Sequence, residues 1–479
     1  MSPMSGRTAG DTSVGETGAP AARGAARGGE GFSALGEAVR AGMARYHVPG
    51  VALGVIDGEA EYVTGFGVTG VEHPLPVQGE TPFPVASITK TVVATAVMRL
   101  VERGQLRLDE PLRRFLPELR LREAQTTERL TMTHLLTHTG GFQGDFRDGA
   151  YGVRCGSGED ALARFVALVA HLPQHALPGE LWAYNNAGFC LAGRAIEVVT
   201  GQTFEEACRE LVLEPLGMGR STFSATQAPP HGVAAGHTVA DGRARLVRGW
   251  VLPPVLTPAG GLVCPASDLL RYARFHLGDG SIPGGGRLLT AESMALMRRP
   301  RVGGALHNGC LASFADEVGL SWFSRATEGG RVLVHGGWTS LSLRLTLVPS
   351  RRFGIFVLTN ADMGAQLHAE VTKQALREYA GIDGLEVAPP PTPPVTLAPY
   401  AGTYRFAGEE DEDIEVRVSG ERLTLSEWGE AACYAPDHIV ALEGLWRHER
   451  GQFLRGAAGQ ITYLRMGGGL GKRMGQQEG

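Results

Sequence analysis

Pro82-Phe83-Pro84-Val85-Ala86-Ser87-Ile88-Thr89-Lys90-Thr91-Val92-Val93-Ala94-Thr95-Ala96-Val97-Met98-Arg99-Leu100-Val101 decides how this chain is read. The part after Lys90 is apolar on nearly all sides, as a helix buried in a core is. Ser87 and Lys90, three apart, fall on one face of such a helix and set a nucleophile beside a cation. A lone Ser-x-x-Lys recurs by chance and usually marks a solvated face. At the first turn of a buried helix, however, a serine and a lysine have little water to satisfy them and need polar partners or a function.

Two later stretches add to it. Pro178-Gly179-Glu180-Leu181-Trp182-Ala183-Tyr184-Asn185-Asn186-Ala187-Gly188 precedes Phe189, Ala192, Ile196 and Val199 and closes at Gly201, which reads as loop, amphipathic helix and terminal glycine. Val332-Leu333-Val334-His335-Gly336-Gly337-Trp338 reads as a strand ending at glycines. The order Ser-x-x-Lys, Tyr-x-Asn, His-x-Gly resembles the serine hydrolases related to class C β-lactamases, D-aminopeptidases and family VIII esterases. The class A relatives carry Ser-x-x-Lys with a Lys-Thr-Gly strand; here His335 stands where that lysine would be. The resemblance runs from about Ser33 to Tyr379. It takes in Leu130 to Phe142, Leu213 to Met218, Pro258 to Leu262 with Ser267 to Leu269, and Phe353 to Asn360.

The resemblance implies an α/β (α+β) fold of the penicillin-binding-protein type, an antiparallel sheet flanked by helices, and the local patterns agree. Leu35, Val39 and Met43 repeat at helical spacing until Pro49-Gly50; Val51 to Ile56 and Glu59 to Gly67 read as strands joined by a primed two-residue turn at Asp57-Gly58. Leu341, Leu343, Leu345 and Leu347 alternate with Ser342, Arg344 and Thr346 as a half-buried strand. Phe353 to Thr359 pairs with it, and Leu367, Val371 and Leu376 form a final helix. Strands from both ends of the segment with a helical middle predict one sheet covered by helices.

Single cores seldom exceed about 250–300 residues, so 479 residues with 43% hydrophobic content predict two domains. Residues 1–31, with Val14 as the only sizeable apolar side chain between Met4 and Phe32, read as a disordered tail. Residues 32–384 form the hydrolase domain. Residues 385–398, with Pro389-Pro390-Pro391-Thr392-Pro393-Pro394, form a stiff linker. Residues 399–470 form a small antiparallel β-barrel, with strands at Tyr400 to Tyr404, Ile414 to Val418, Leu423 to Leu425 and Ile461 to Met466, and residues 471–479 a short tail. The barrel resembles one appended to some cytosolic members of the family and offers a surface for homo-oligomerisation.

A net charge of −5 without a basic run argues against nucleic acid as partner. No apolar run is long enough for a membrane span or a secretory signal, so the expectation is a cytoplasmic protein with no membrane partner. The six cysteines, at 155, 190, 208, 264, 310 and 433, have neither C-x-x-C nor metal-ligand spacing and read as reduced core thiols. His134 and His138 are four apart, but Leu135 stands where the glutamate of H-E-x-x-H would be. Both take a structural reading, with no metal and no cofactor expected.

A serine hydroxyl attacks a carbonyl only when a base takes its proton, and no Gly-x-Ser-x-Gly elbow is present. Tyrosine and lysine, with reference pKa values of about 10 and 10.4, must share one proton to act near neutrality. The resemblance implies Ser87 as nucleophile, Tyr184 as base and Lys90 as its support, with the backbone N–H groups of Ser87 and of Trp338, just after Gly337, as oxyanion donors. It further implies that His335 orients the base or a substrate carboxylate, the alternative being that it merely closes a strand. Asn186 would bond the substrate's acyl amide or Lys90. Relatives commonly carry another glycine after His-x-Gly; this chain has Trp338-Thr339-Ser340-Leu341, which should narrow the pocket or make it apolar. Three functions follow: a hydrolase of small esters or amides, D-amino-acid peptides among them, poor against β-lactams though a β-lactamase remains an alternative; an acyltransferase on the same site; and a non-catalytic sensor.

Overall fold

The computed structural model describes residues 21–144, 154–223, 232–248, 252–303, 315–383, 385, 396–406, 412–426, 428–443 and 449–475, with backbone alone for 21–30 and 412. Among these, strands β1 (Gly50–Asp57) and β2 (Ala60–Gly67) form a hairpin. β3 (Pro82–Pro84) pairs with β6 (Val263–Pro265), and β4 (His237–Ala240) with β5 (Arg243–Leu246). β7 (Val302–Gly303), β8 (Glu317–Val318), β9 (Phe323–Thr327), β10 (Gly330–Trp338), β11 (Ser342–Val348) and β12 (Phe353–Thr359) complete an eight-stranded antiparallel sheet in the order β2-β1-β12-β11-β10-β9-β8-β7. The first strand thus pairs with the last, Val51 opposite Thr359, and the two ends of the domain close on each other.

The sheet is covered on both faces. One face meets the large core that holds α2 (Thr89–Glu102), α3 (Met132–Leu136), α4 (Asn186–Thr200) and α5 (Ala266–Leu277). The other carries α1 (Ala21–Tyr46) and α6 (Gly364–Ala375) over a second core of Leu35, Val39, Val51, Leu53, Ile355, Val357 and Leu367. This second layer corrects one expectation. Ser342, Arg344 and Thr346 of β11 are buried like the leucines between them, because the face that the alternation marked as polar lies under helix rather than water. Two boundaries also move. α1 begins at Ala21, inside the stretch expected to be disordered: the alanines of 21–26 have high helix propensity and extend a helix anchored at Leu35 and Val39. Residues 1–20 lie outside the described residues. In the first hairpin Asp57 pairs with Ala60, so the turn is Gly58-Glu59, with Gly58 at φ +58°.

The C-terminal strands β13 (Gly402–Phe406), β14 (Glu412–Ser419), β15 (Arg422–Leu425), β16 (Gly429–Ala435), β17 (His438–Ala441), β18 (Arg450–Arg455), β19 (Ile461–Met466) and β20 (Gly469–Arg473) form a closed barrel, β20 returning to β13. Its interior holds Tyr404, Leu423, Ile439, Phe453 and Leu464. Tyr400, expected to begin a strand, ends a 3₁₀ turn, and its buried neighbour Leu397 packs in the barrel core rather than in a linker. β20 carries the barrel into what was expected to be a tail. Strands β16, β17, β18 and β20 escaped the sequence reading, being short or rich in glycine and alanine, residues depleted in strands. The proline run at 389–394 lies outside the described residues. Cys155, Cys190, Cys208, Cys264 and Cys433 are free and buried; Cys310 falls outside.

Candidate active site

A 3₁₀ turn at Ala86–Ile88 leads straight into α2, and Ser87 sits in that turn, half-buried. Ala86 adopts φ +45°, a left-handed conformation that residues with a Cβ, Asn and Asp apart, seldom take. Thr89 braces the turn: its hydroxyl donates to Ala86 O at 2.6 Å and accepts the Leu262 N–H at 3.1 Å. Strand β10 lies against the same turn. A Cβ on Gly337 would stand 2.5 Å from Val85 O and 3.1 Å from the Ala86 Cβ, so the glycine of His-x-Gly is demanded by close approach to the serine turn.

Lys90 is fully buried. Its Nζ donates to Ser87 Oγ at 3.0 Å and to Ala259 O at 2.5 Å, so a stretch read only as part of the resemblance supplies its second acceptor. The same Nζ lies over the ring face of Tyr184, 5.0 Å from its centroid, and 5.5 Å from that of Phe189. The buried hydroxyl of Tyr184 belongs to an extended loop pinned on both sides. The Ala183 N–H donates to His138 O at 3.0 Å, the Asn185 N–H to His138 Nδ1 at 2.9 Å, and the Tyr184 N–H to Gly468 O of the barrel at 2.9 Å.

His335 projects from β10 and is fully buried. Its Nδ1 donates to Gly336 O at 2.7 Å, which leaves Nε2 as a buried lone pair with no hydrogen bond among the described residues. Burial first, then the charge of Lys90, pushes its pKa down to about 3, so the imidazole is neutral at pH 7. Phe323 spaces it from Tyr184, with ring centroids 5.3 and 6.5 Å away respectively.

Ser87, Lys90, Tyr184 and Gly337 therefore converge, with His335 behind them. Asn186 opens α4, half-buried, its N–H on Gly144 O at 2.9 Å. Its neighbour Asn185 is the cap: its Oδ1 accepts the Gly188 N–H at 2.6 Å and its Nδ2 donates to Phe142 O at 2.8 Å. Asn followed by an apolar periodic run is an N-cap signal, and it was there to be read. Trp338 is 40% exposed at the end of β10, while Leu341 is fully buried. The two histidines of the His134-x-x-x-His138 segment part company. His134 closes a capping box with Thr131 at the start of α3. His138 stacks on Tyr184, a contact with a residue far along the chain that no local pattern marks. No group of three or more metal-ligating side chains occurs among the described residues, and no helix there is long and apolar enough to cross a membrane. A groove of about 820 Å³ lined by Gln78, Glu80, Glu205, Arg209 and Arg220 includes none of these site residues.

Residues 35–379 match the Beta-lactamase family. Penicillin-binding protein 4 of Amycolatopsis lactamdurans is 34% identical over 375 residues, covering 76% of this chain and 94% of its own. Esterase EstB of Burkholderia gladioli is 39% identical over 180 residues, 36% of this chain and 46% of its own. Among solved structures, SurE superposes with a TM-score of 0.75 at 28% identity, covering 94% of this chain and all of that one. The octameric penicillin-binding protein homologue from Pyrococcus abyssi gives 0.64 at 25% identity, over 92% of this chain and all of that one. Fold, motifs and relatives agree: the chain belongs to the Beta-lactamase family and is a serine hydrolase.

Proposed function

We propose that the enzyme cleaves small esters or amides, D-amino-acid peptides among them, through an acyl-enzyme on Ser87 with Lys90 and Tyr184 as the base pair. The carrying observation is one buried ammonium that holds Ser87 Oγ at 3.0 Å and lies over the Tyr184 ring at 5.0 Å. In this reading Tyr184, as phenolate opposite Lys90, takes the Ser87 proton while Oγ attacks the substrate carbonyl. The oxyanion is met by the N–H groups of Ser87 and Trp338, a placement consistent with the glycine-only contact between β10 and the serine turn. Tyr184 then passes the proton to the leaving group, and water attacks the acyl-enzyme with the same pair as base. Asn186 bonds the acyl amide.

His335, neutral and with no hydrogen bond on Nε2 among the described residues, acts as a hydrogen-bond acceptor or through polarity rather than as a cation. Capture of a β-lactam carboxylate is correspondingly weak, and nitrocefin should be a poorer substrate than p-nitrophenyl acetate or butyrate. The D-amino-acid part is supported by a relative at 28% identity, SurE, solved with D-Leu. Acyl transfer remains a second reading, favoured by the ring-lined wall of His138, Trp182, Phe189 and Phe323, which limits water near Tyr184. Assembly into a homo-oligomer is proposed from the octameric homologue.

The test is kcat/KM for p-nitrophenyl esters, D-aminoacyl amides and nitrocefin in one buffer, with product analysis in the presence of a competing alcohol. Ester or D-aminoacyl amide turnover above that of nitrocefin supports the reading. A higher value for nitrocefin overturns the substrate class while leaving the residue roles standing.

A further inference from the structure

The carbonyl, the Nδ1 and one ring contact of His138 all meet the short segment that carries Tyr184. Its carbonyl and its Nδ1 receive the N–H groups of Ala183 and Asn185, on either side of Tyr184. Its ring stacks on the Tyr184 ring, centroids 4.3 Å apart and planes at 28°. Carbonyl and imidazole reach one segment because His138 adopts φ +58°. Between its two anchored neighbours, the Tyr184 N–H points the other way, to Gly468 O in the β19–β20 turn. Arg465, beside that turn, lies over the Trp182 ring at 5.6 Å.

We propose that His138 is a positioning residue for the Ser87 reaction, one jaw of a clamp whose other jaw is the Gly468 turn of the barrel, and that this clamp aims the Tyr184 hydroxyl. The inference rests on Tyr184 serving as base. Because Nδ1 accepts a backbone N–H, the proton sits on Nε2, which is buried and finds no hydrogen-bond partner among the described residues. Burial, with Lys90 and His335 close by, keeps the imidazole neutral and Nδ1 an acceptor.

The experiment compares H138F, which keeps a ring but loses the acceptor, with H138N, which keeps an acceptor and tolerates the left-handed backbone but loses the ring. With p-nitrophenyl acetate, H138F should lose about 10²-fold in kcat and H138N about 10-fold, both at unchanged KM, the scale set by misplacing a reacting group. The acid limb of the pH profile should rise in H138F, since a tyrosine that drifts from the lysine cation is harder to ionise. Wild-type kcat and acid limb in both variants, with Y184F inactive, overturn the clamp. Should H138F fail to fold, H138N decides alone: wild-type kcat and an unmoved limb overturn it. Full activity in Y184F instead removes the base assignment, a different failure.

Discussion

The two halves of the site are held in opposite ways. Ser87 and Lys90 ride on α2, a helix sunk in the main core, where Val92, Val93, Ala96 and Val97 are buried and fix the first turn by packing. Tyr184 sits on a loop fixed by three N–H bonds, two of them to His138 in the sequence-distant Leu130 to Phe142 segment and one to the barrel. Packing resists small changes across many contacts, whereas a hydrogen-bonded loop depends on a few. The nucleophile half should therefore lose chemistry when its own groups or the strand packed directly on its turn change, and the tyrosine half when its distant supports change.

The largest effect that sharpens this comparison is Lys90→Met, close in volume but without the ammonium on Ser87 Oγ. It should lower kcat by about 10³ or more, with the melting temperature little reduced because an unpaired buried charge is not left behind. Retention of turnover within a few-fold would detach Lys90 from the chemistry. Next is Tyr184→Phe, expected to cost at least about 10² in kcat with unchanged fold by circular dichroism; a variant near wild type would transfer the base role.

Gly337→Ala tests the contact of β10 with the serine turn in the nucleophile half. The added Cβ, 2.5 Å from Val85 O, must push β10 from the serine turn, costing about 1–3 kcal/mol of stability and roughly tenfold in kcat. An alanine variant with wild-type kcat and stability would show that the contact is slack. The last effect, which leaves turnover at neutral pH untouched, is a pH dependence of folding. His335 and His175 have pKa values pushed down to about 3 and 4, chiefly by burial. The unfolded chain, with histidine pKa near 6.5, then binds more protons than the native one, so stability falls as pH drops from about 6.5 toward 4, by up to about 1.4 kcal/mol per unit for each such histidine. Urea midpoints that stay flat from pH 7 to pH 4.5 would contradict that burial.

The same contrast explains what the sequence disclosed. Ser87 and Lys90 were legible because helix periodicity and an apolar flank are local signals, as were β1, β12 and the loop before α4. The role of His138 was not, since its partners are 45 to 47 residues away and its bonds are to backbone, which leaves no pattern in side-chain types. Asn185 was passed over for Asn186 although cap chemistry favoured it. Arg344 in β11 shows a third limit: alternation says which residues share a face, while burial depends on the helices that cover it. Half of the barrel strands stayed hidden because closure of the barrel, more than β propensity, holds short glycine-rich strands in place.

The most direct test of the central claim is labelling with a fluorophosphonate probe, followed by peptide mass spectrometry and p-nitrophenyl acetate turnover in Ser87→Ala. A single adduct on the peptide containing Ser87, with both labelling and turnover lost in the variant, is the predicted result. An adduct on another serine, or full esterase activity in Ser87→Ala, would contradict it.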